Sequence, residues 1–344
     1  MRTTTPQTAD EIFATGLRNQ WHLVCPTSFV PLGGMKKLTR LGEDWVLFRE
    51  PDGTLRMLED RCPHRGAPLS LGQHLGTRLA CLYHGVQVDG GGTVVSVPGM
   101  PGCALEGKQA VTSLPVTEVA GMVLAYFGDE QHPEPCELRL PEPLLDEGVE
   151  AFPCYAEWDA PWRFTLENLL DPMHGAFLHR DSHSMAGGAT SARFRIRETE
   201  RGYFFEKTDQ MGVNFDWVEY CRTGVDWVDL SIPYPPSAGP GGPFGIVGMG
   251  TPIDAGRTAV VFWRYRRVEG WERSVWRFLY RTTLEARHWK VLEQDRVMLE
   301  AMPADADQAE NLYQHDLGVV RLRRHYRAEA EAQAAALASS GATP

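Results

Sequence analysis

Cys62-Pro63-His64-Arg65-Gly66-Ala67-Pro68 and, further on, Cys81-Leu82-Tyr83-His84-Gly85 are the two segments whose reading decides the fold. Sixteen residues separate His64 from Cys81, and each segment offers one thiolate and one imidazole from a turn shaped by Gly or Pro. Two soft sulfurs and two nitrogens suit either a tetrahedral zinc or a two-iron cluster in which one iron takes the sulfurs and the other the nitrogens. The spacing C-x-H followed by C-x-x-H departs from the usual zinc pairs, C-x₂₋₄-C and H-x₃₋₅-H. It therefore favours the iron cluster, with structural zinc as the alternative.

Around these segments the chain reads as short strands broken by turns. Trp45-Val46-Leu47-Phe48, a turn at Pro51-Asp52-Gly53, Leu55 to Leu58, Val94 to Val97 and Val119 to Phe127 predict a small all-β domain over 19–128. Residues 1–18 are polar and are expected to form an N-terminal arm or short helix. The Pro- and acid-rich segment 129–148 reads as a linker, and 149–344 as a second domain of mixed strands and helices. Strands are expected at 191–198, 203–209, 225–234 and 258–267, and 235–250 starts as a Pro/Gly-rich loop over a pocket. Trp271 to Met302 contains no Gly or Pro and predicts one long helix; Asp316 to Leu337 predicts another, with 338–344 frayed.

In the second domain, Asn168-Leu169-Leu170-Asp171-Pro172-Met173-His174-Gly175-Ala176-Phe177-Leu178-His179 places two imidazoles and a carboxylate in an otherwise apolar run. Buried groups of that kind need partners, either hydrogen-bonded neighbours in a core helix or a metal ion. Five residues apart, His174 and His179 would point about 140° apart on an ideal helix, so the helix must bulge or end between them. Pro172 implies a start or kink near Asp171. In the later helix, Val291, Leu292, Met298, Leu299 and Met302 fall on one stripe with Asp295 in its middle, while Glu293 and Glu300 project away. A lone carboxylate on an apolar face needs an ion or a donor.

Composition narrows the field. The chain has 344 residues, 43% hydrophobic and 23% charged, with a formal net charge of −11, which disfavours a nucleic-acid partner. No uninterrupted apolar run is long enough for a membrane span, and the N-terminal residues do not resemble an export signal. Seven scattered cysteines, an odd number, suit a reducing compartment, so a cytoplasmic location is expected. No G-x-G-x-x-G occurs, so electrons from a nicotinamide must come through another protein.

The run CPHRGAPLSLG with CLYHG resembles the N-terminal domain of the Rieske non-haem iron aromatic ring-hydroxylating oxygenases, specifically the oxygenase (alpha) component of a phthalate-oxygenase-like branch. Val86 and Val88 stand where that family often has an aromatic. The resemblance implies an α+β protein: an all-β Rieske [2Fe-2S] domain with Cys62, His64, Cys81 and His84 as ligands, then a helix-grip catalytic domain of curved antiparallel sheet and long helices. Its D-x-x-H-x₄-H pattern matches Asp171, His174 and His179, and the segment around Gln294-Asp295 matches the family's third iron ligand, Asp295. His183 is a lesser alternative. Asn168 is implied near the iron, and Trp158 and Trp162 are expected in the core.

The family also implies a ring of three identical subunits in which Asp171 bridges His174 and His84 of the partner subunit. Implied too are a separate NAD(P)H-dependent flavin/iron-sulfur reductase or ferredoxin, and O₂ as cosubstrate. The expected reaction is hydroxylation, in first place cis-dihydroxylation, of an aromatic and in this branch carboxylated substrate. O- or N-demethylation is the alternative, and a Rieske electron carrier without oxygen chemistry the alternative of another class. An arginine would suit a substrate carboxylate; Arg193, Arg195, Arg222, Arg264 and Arg266 lie on or near predicted strands, with no sign of which point inward.

Overall fold

The structure is a computed structural model that describes residues 8–129, 131–182, 187–233 and 243–340. The chain divides into two compact units, Arg18–Cys136 and a second made of Met1–Leu17 with Glu137–Pro344.

The first unit is all β: β1 (Gln20–Pro26), β2 (Met35–Arg40), β3 (Glu43–Arg49), β4 (Leu55–Glu59), β5 (Gln73–His74), β6 (Arg78–Ala80), β7 (Gln87–Asp89), β8 (Val94–Ser96), β9 (Ser113–Leu114), β10 (Val116–Val119) and β11 (Met122–Phe127). They form three antiparallel sheets, ordered β1-β11-β10, β2-β3-β4-β9 and β5-β6-β7-β8. The unbroken apolar run of β3 has a direct cause. Alternate side chains leave opposite faces of a strand; Trp45 and Leu47 enter one core, and Val46 and Phe48 enter another that also holds Cys62, Cys81, Val86 and Val88. The expected single strand 119–127 is two strands, because Ala120 and Gly121, both at positive φ, make the turn of a hairpin.

The second unit carries β12 (Val149–Trp158), β13 (Phe194–Glu198), β14 (Gly202–Lys207), β15 (Trp217–Arg222), β16 (Asp226–Ile232), β17 (Phe244–Asp254) and β18 (Arg257–Arg267). They build one antiparallel sheet, ordered β12-β18-β17-β16-β15-β14-β13. Its helices are α1 (Ala9–Thr15), α2 (Glu142–Leu145), α3 (Trp162–Leu169), α4 (His174–Phe177), α5 (Trp271–Leu279), α6 (Glu285–Ala301) and α7 (Leu317–Ser340). Helix α3 packs on β17 and β18, α6 touches α3 and β12, and α1 lies along α7. Trp158 and Trp162 are core, and the Trp162 indole donates to the Phe13 carbonyl. This is the expected combination of an all-β domain and a large antiparallel sheet with helices.

Several boundaries differ from expectation. Residues 8–17 belong to the second unit: they hold the expected short helix, α1, which packs on α7 rather than standing free as an arm. The segment 129–148 is shared: Cys136 accepts from the Trp21 indole in the first unit, and Arg139 pairs through its backbone with Thr223 in the second. Strands β12, β15 and β17 were not expected. Residues 234–242, most of the expected Pro/Gly-rich loop, lie outside the described residues, and 244–250 is strand. The expected helix over 271–302 contains a π-helical turn, Tyr280–Leu284, between α5 and α6. Helix α7 runs on to Ser340. No helix among the described residues is long and apolar enough to cross a membrane.

Candidate metal centres

In the first unit the two Cys/His segments fold into matching turns. Cys62 N donates to the Ala67 carbonyl and Gly66 N returns a bond to the Cys62 carbonyl; Cys81 with Val86, and Gly85 with Cys81, repeat the arrangement. Gly66 and Gly85 both sit at positive φ, +75° and +72°, where a side chain is strained. The turns put both thiols into the core, at 2% exposure each, and both imidazoles at the surface, with ring centroids 4.6 Å apart. Cys62 and Cys81 are free and adjacent; burial pushes the Cys62 thiol up, and Cys81 beside it adds to the shift. A metal that displaces the thiol protons would relieve both effects. Sulfurs inside and nitrogens outside is the order a [2Fe-2S] cluster with split ligation requires.

In the second unit α3 ends at Leu169, Asp171-Pro172-Met173 breaks the helix, and α4 lasts for four residues, ending before His179. That break lets residues five apart face one another. His174 Nε2 lies 3.6 Å, and His179 Nε2 3.2 Å, from Asp295 Oδ1 on α6. The ligand atoms of the three residues all fall within 4.8 Å of each other. His179 is wholly buried and its Nε2 has no hydrogen-bond partner. Two imidazoles and a carboxylate gathered around an unsatisfied buried nitrogen fit a metal ion, and the set is that of a non-haem ferrous site with open positions.

The supports of these three side chains are equally specific. His179 Nδ1 donates to Gln294 Oε1 at 2.9 Å, which leaves its Nε2 free to ligate. Asn168 Nδ2 donates to Asp295 Oδ1 at 3.3 Å. Asp171 Oδ1 accepts from the Met173 backbone N–H at 2.7 Å, and its Oδ2 stands 3.7 Å from His174 Nδ1. Phe215 sets its ring edge-on to His174, with centroids 5.8 Å apart. Burial works against charge on His174, but Asp171 and Asp295 outweigh it and raise its pKa above the ordinary value. Burial would likewise raise Asp171, yet His174 and the backbone N–H groups hold it low.

The sequence-predicted residues thus fall into two groups, Cys62, His64, Cys81 and His84 in one unit and His174, His179, Asp295, Asn168 and Asp171 in the other. His183 lies outside the described residues. Met298 and Met302 leave the expected stripe and are exposed; the buried line on α6 is Leu292, Asp295 and Leu299. Gln294 is the residue sequence reasoning missed, because its role depends on a contact across 115 positions.

Comparison with known proteins agrees with this geometry. Residues 20–115 match the Rieske [2Fe-2S] domain, and residues 158–332 match the vanillate O-demethylase oxygenase C-terminal domain. The chain is 28% identical over 264 residues to the phthalate 4,5-dioxygenase oxygenase subunit of Pseudomonas putida, covering 72% of this chain and 59% of that protein. It is 36% identical over 161 residues to the chloroplastic protein TIC 55 of Arabidopsis thaliana, covering 46% and 30%. It is 33% identical over 169 residues to the dicamba O-demethylase oxygenase component of Stenotrophomonas maltophilia, covering 48% of each. The matched segment therefore spans about half or less of the length of most such relatives. Among solved structures, the terminal oxygenase of carbazole 1,9a-dioxygenase from Novosphingobium sp. KA1 superposes with a TM-score of 0.75 at 20% identity, over 94% of both chains. Dicamba monooxygenase bound to dicamba superposes with 0.73 at 22%, over 92% of this chain and 98% of that one. These two establish likeness of fold.

Proposed function

The chain belongs to the Rieske non-haem iron oxygenase components, with a C-terminal part of the vanillate O-demethylase oxygenase kind, and from that premise we propose that it is a terminal oxygenase acting on an aromatic substrate. The observation that carries the reading is the convergence of His174, His179 and Asp295 on one buried point. A Rieske electron carrier has no use for that second set.

In this reading Cys62 and Cys81 hold one iron of the cluster, His64 and His84 hold the other, and His174, His179 and Asp295 hold a single iron. A cluster held by Cys62, Cys81, His64 and His84 would supply single electrons, and an iron held by His174, His179 and Asp295 would supply oxygen activation. Gln294 fixes the tautomer of His179, and Asn168 holds the Asp295 carboxylate. Asp171 stands beside His174 and keeps 37% of its side chain exposed; in a three-fold ring it would bridge to His84 of the partner subunit. Electrons reach the exposed His64 and His84 from a ferredoxin or an NAD(P)H-dependent reductase; carbazole oxygenase, of similar fold, has been solved in complex with a ferredoxin. None of the seven cysteines is joined in a disulfide, which supports action in a reducing compartment such as the cytoplasm.

Ring hydroxylation and demethylation remain two outcomes of the same site. The C-terminal match to a vanillate O-demethylase domain favours demethylation of a methoxyarene as the second reading. The test is reconstitution with iron, sulfide, a reductase and NADH, followed by product analysis on arenes and methoxyarenes. Diols identify dihydroxylation and formaldehyde identifies demethylation. A fully loaded protein with a red-brown cluster but no iron at the second site and no oxygen uptake would overturn the proposal.

A further inference from the structure

The two histidines of the candidate iron site are held in different ways. His179 is fixed by the hydrogen bond between its Nδ1 and Gln294 Oε1, 2.9 Å long. His174 has no such bond: its Nδ1 is buried without a hydrogen-bond partner, and Asp171 Oδ2 stands 3.7 Å from it, beyond hydrogen-bond length. The plane of the His174 ring is therefore left to packing. Besides His179, the ring that meets it is Phe215, edge-on at 80° with centroids 5.8 Å apart.

Phe215 is buried, yet it lies in no strand or helix but near the end of the loop 208–216 between β14 and β15. Met211 and Val213 of that loop are exposed and lend it little apolar support. Its shape comes from Asp216, whose carboxylate is buried with all four acceptor positions engaged. Oδ1 accepts from Lys207 Nζ at 3.1 Å and Gln210 Nε2 at 2.5 Å, and Oδ2 accepts from the backbone N–H groups of Val213 at 2.8 Å and Asn214 at 3.1 Å. Lys207 is equally buried, so removing either partner leaves the other charge uncompensated, and loop shapes that part the two are penalised. The same loop grips the stretch that follows His179. Asn214 Nδ2 donates to the Gly187 carbonyl at 2.7 Å, and Gln210 Oε1 accepts from the Ala189 N–H at 2.7 Å. Between them Gly188, at a φ of +101°, lets the backbone pass where a Cβ would come within 2.6 Å of Gln210 Nε2, an atom already tied to Asp216.

We infer that Asp216 is a positioning residue for the iron site: it fixes the loop that sets the Phe215 ring against His174, and so fixes the ring plane of a ligand that no hydrogen bond holds. The inference rests on the metal-centre reading and adds to it a residue that acts on the site through another side chain.

The test uses the full chain with its cluster intact, stripped of the single iron and titrated with ferrous ion without air. The EPR spectrum of the loaded site, with nitric oxide as the probe, reports ligand geometry independently of turnover. Asp216→Asn strands the Lys207 ammonium and is expected to weaken ferrous binding about 10-fold and to broaden the EPR signal. Phe215→Leu keeps the buried ion pair, removes the ring edge, and should broaden the signal in the same way. Lys207→Met combined with Asp216→Asn leaves no unpaired charge and still offers a carbonyl to the Val213 and Asn214 N–H groups, so it should bind ferrous ion more tightly than Asp216→Asn alone. A pair that only staples the hairpin would lower the melting temperature of Asp216→Asn and leave its iron affinity and spectrum as in the wild type. That result overturns the inference, as does a wild-type spectrum in Phe215→Leu or no recovery in the double variant. Should Asp216→Asn fail to fold, the Phe215→Leu spectrum decides by itself. Failure of the metal-centre reading looks different, and takes the inference with it: the wild type itself takes up no iron beyond its cluster.

Discussion

Removing the Gln294 side-chain carbonyl tests whether the structure places His179 for a metal or merely buries it. The bond from His179 Nδ1 to Gln294 Oε1 is 2.9 Å long, and His179 has no exposed surface. Gln294→Leu keeps the bulk and deletes the acceptor, so the ring must leave Nδ1–H unpaired or move the proton to Nε2, the ligating atom. The first outcome costs about 1–3 kcal/mol as a buried unsatisfied donor. The second competes with the metal. Loss of such an outer partner ordinarily weakens metal binding about 10- to 100-fold, or roughly 1.4 to 2.8 kcal/mol. Protein that keeps its cluster is stripped of the single iron and titrated with ferrous ion, with the visible absorption of the cluster as an internal control. Gln294→Leu should show the weaker affinity with the cluster unchanged, and Gln294→Glu, which still accepts from Nδ1, should recover most of it. If Gln294→Leu lowered the melting temperature but bound ferrous ion as the wild type does, the residue would be packing and the argument would be refuted.

Asp171→Asn is expected to keep both metal sites and lose most turnover, because the amide cannot carry the charge that faces His174 Nδ1 at 3.7 Å; wild-type rates would refute this. His84→Ala should remove the visible absorption and take the protein from about three irons to about one per chain, whereas unchanged absorption would remove His84 from the ligand set. Burial, with the Glu219 charge behind it, pushes Asp229 up to about 7 although the Tyr265 hydroxyl donates to it. The folded chain then keeps this proton to higher pH than the unfolded chain, so stability declines as pH rises from about 4 to 7. Asp229→Asn should flatten that window and raise the stability at pH 8, seen as a higher melting temperature, by at most about 4 kcal/mol; an equal slope in the variant would show that another group sets it.

Much of the fold was legible because its signals are local. Ligand types at short fixed spacing named the first centre, the apolar run Trp45 to Phe48 named a strand, and the apolar face around Asp295 marked an inward carboxylate. Strand β17 was missed for a reason that is not local. Phe244-Gly245-Ile246-Val247-Gly248-Met249-Gly250 reads as turn-forming, yet a Cβ on Gly245 would meet the Tyr265 ring at 2.0 Å, and one on Gly248 would meet Val228 at 3.1 Å and Leu169 at 3.3 Å. The glycines are there to let large side chains of other elements lie against the strand. Gln294 was hidden in the same way, since its role is defined by a partner on a distant element.

Helix α6 carries the carboxylate of the candidate metal centre on a face whose phase is fixed from outside the helix. His288, Leu292, Asp295 and Leu299 recur at intervals of four, three and four, so a single face carries a half-buried imidazole, two core leucines and the carboxylate that meets His174 and His179. The phase of that face is set by the π-helical turn before it, which is held by Tyr280 stacked on Phe152 at 4.0 Å and contacting Cys154 Sγ at 3.3 Å. Both contacts are to β12, which pairs with β18, the strand of Arg264. Sheet and helix therefore share one reference point, and the place of Asp295 relative to the sheet is a property of rigid elements rather than of a loop.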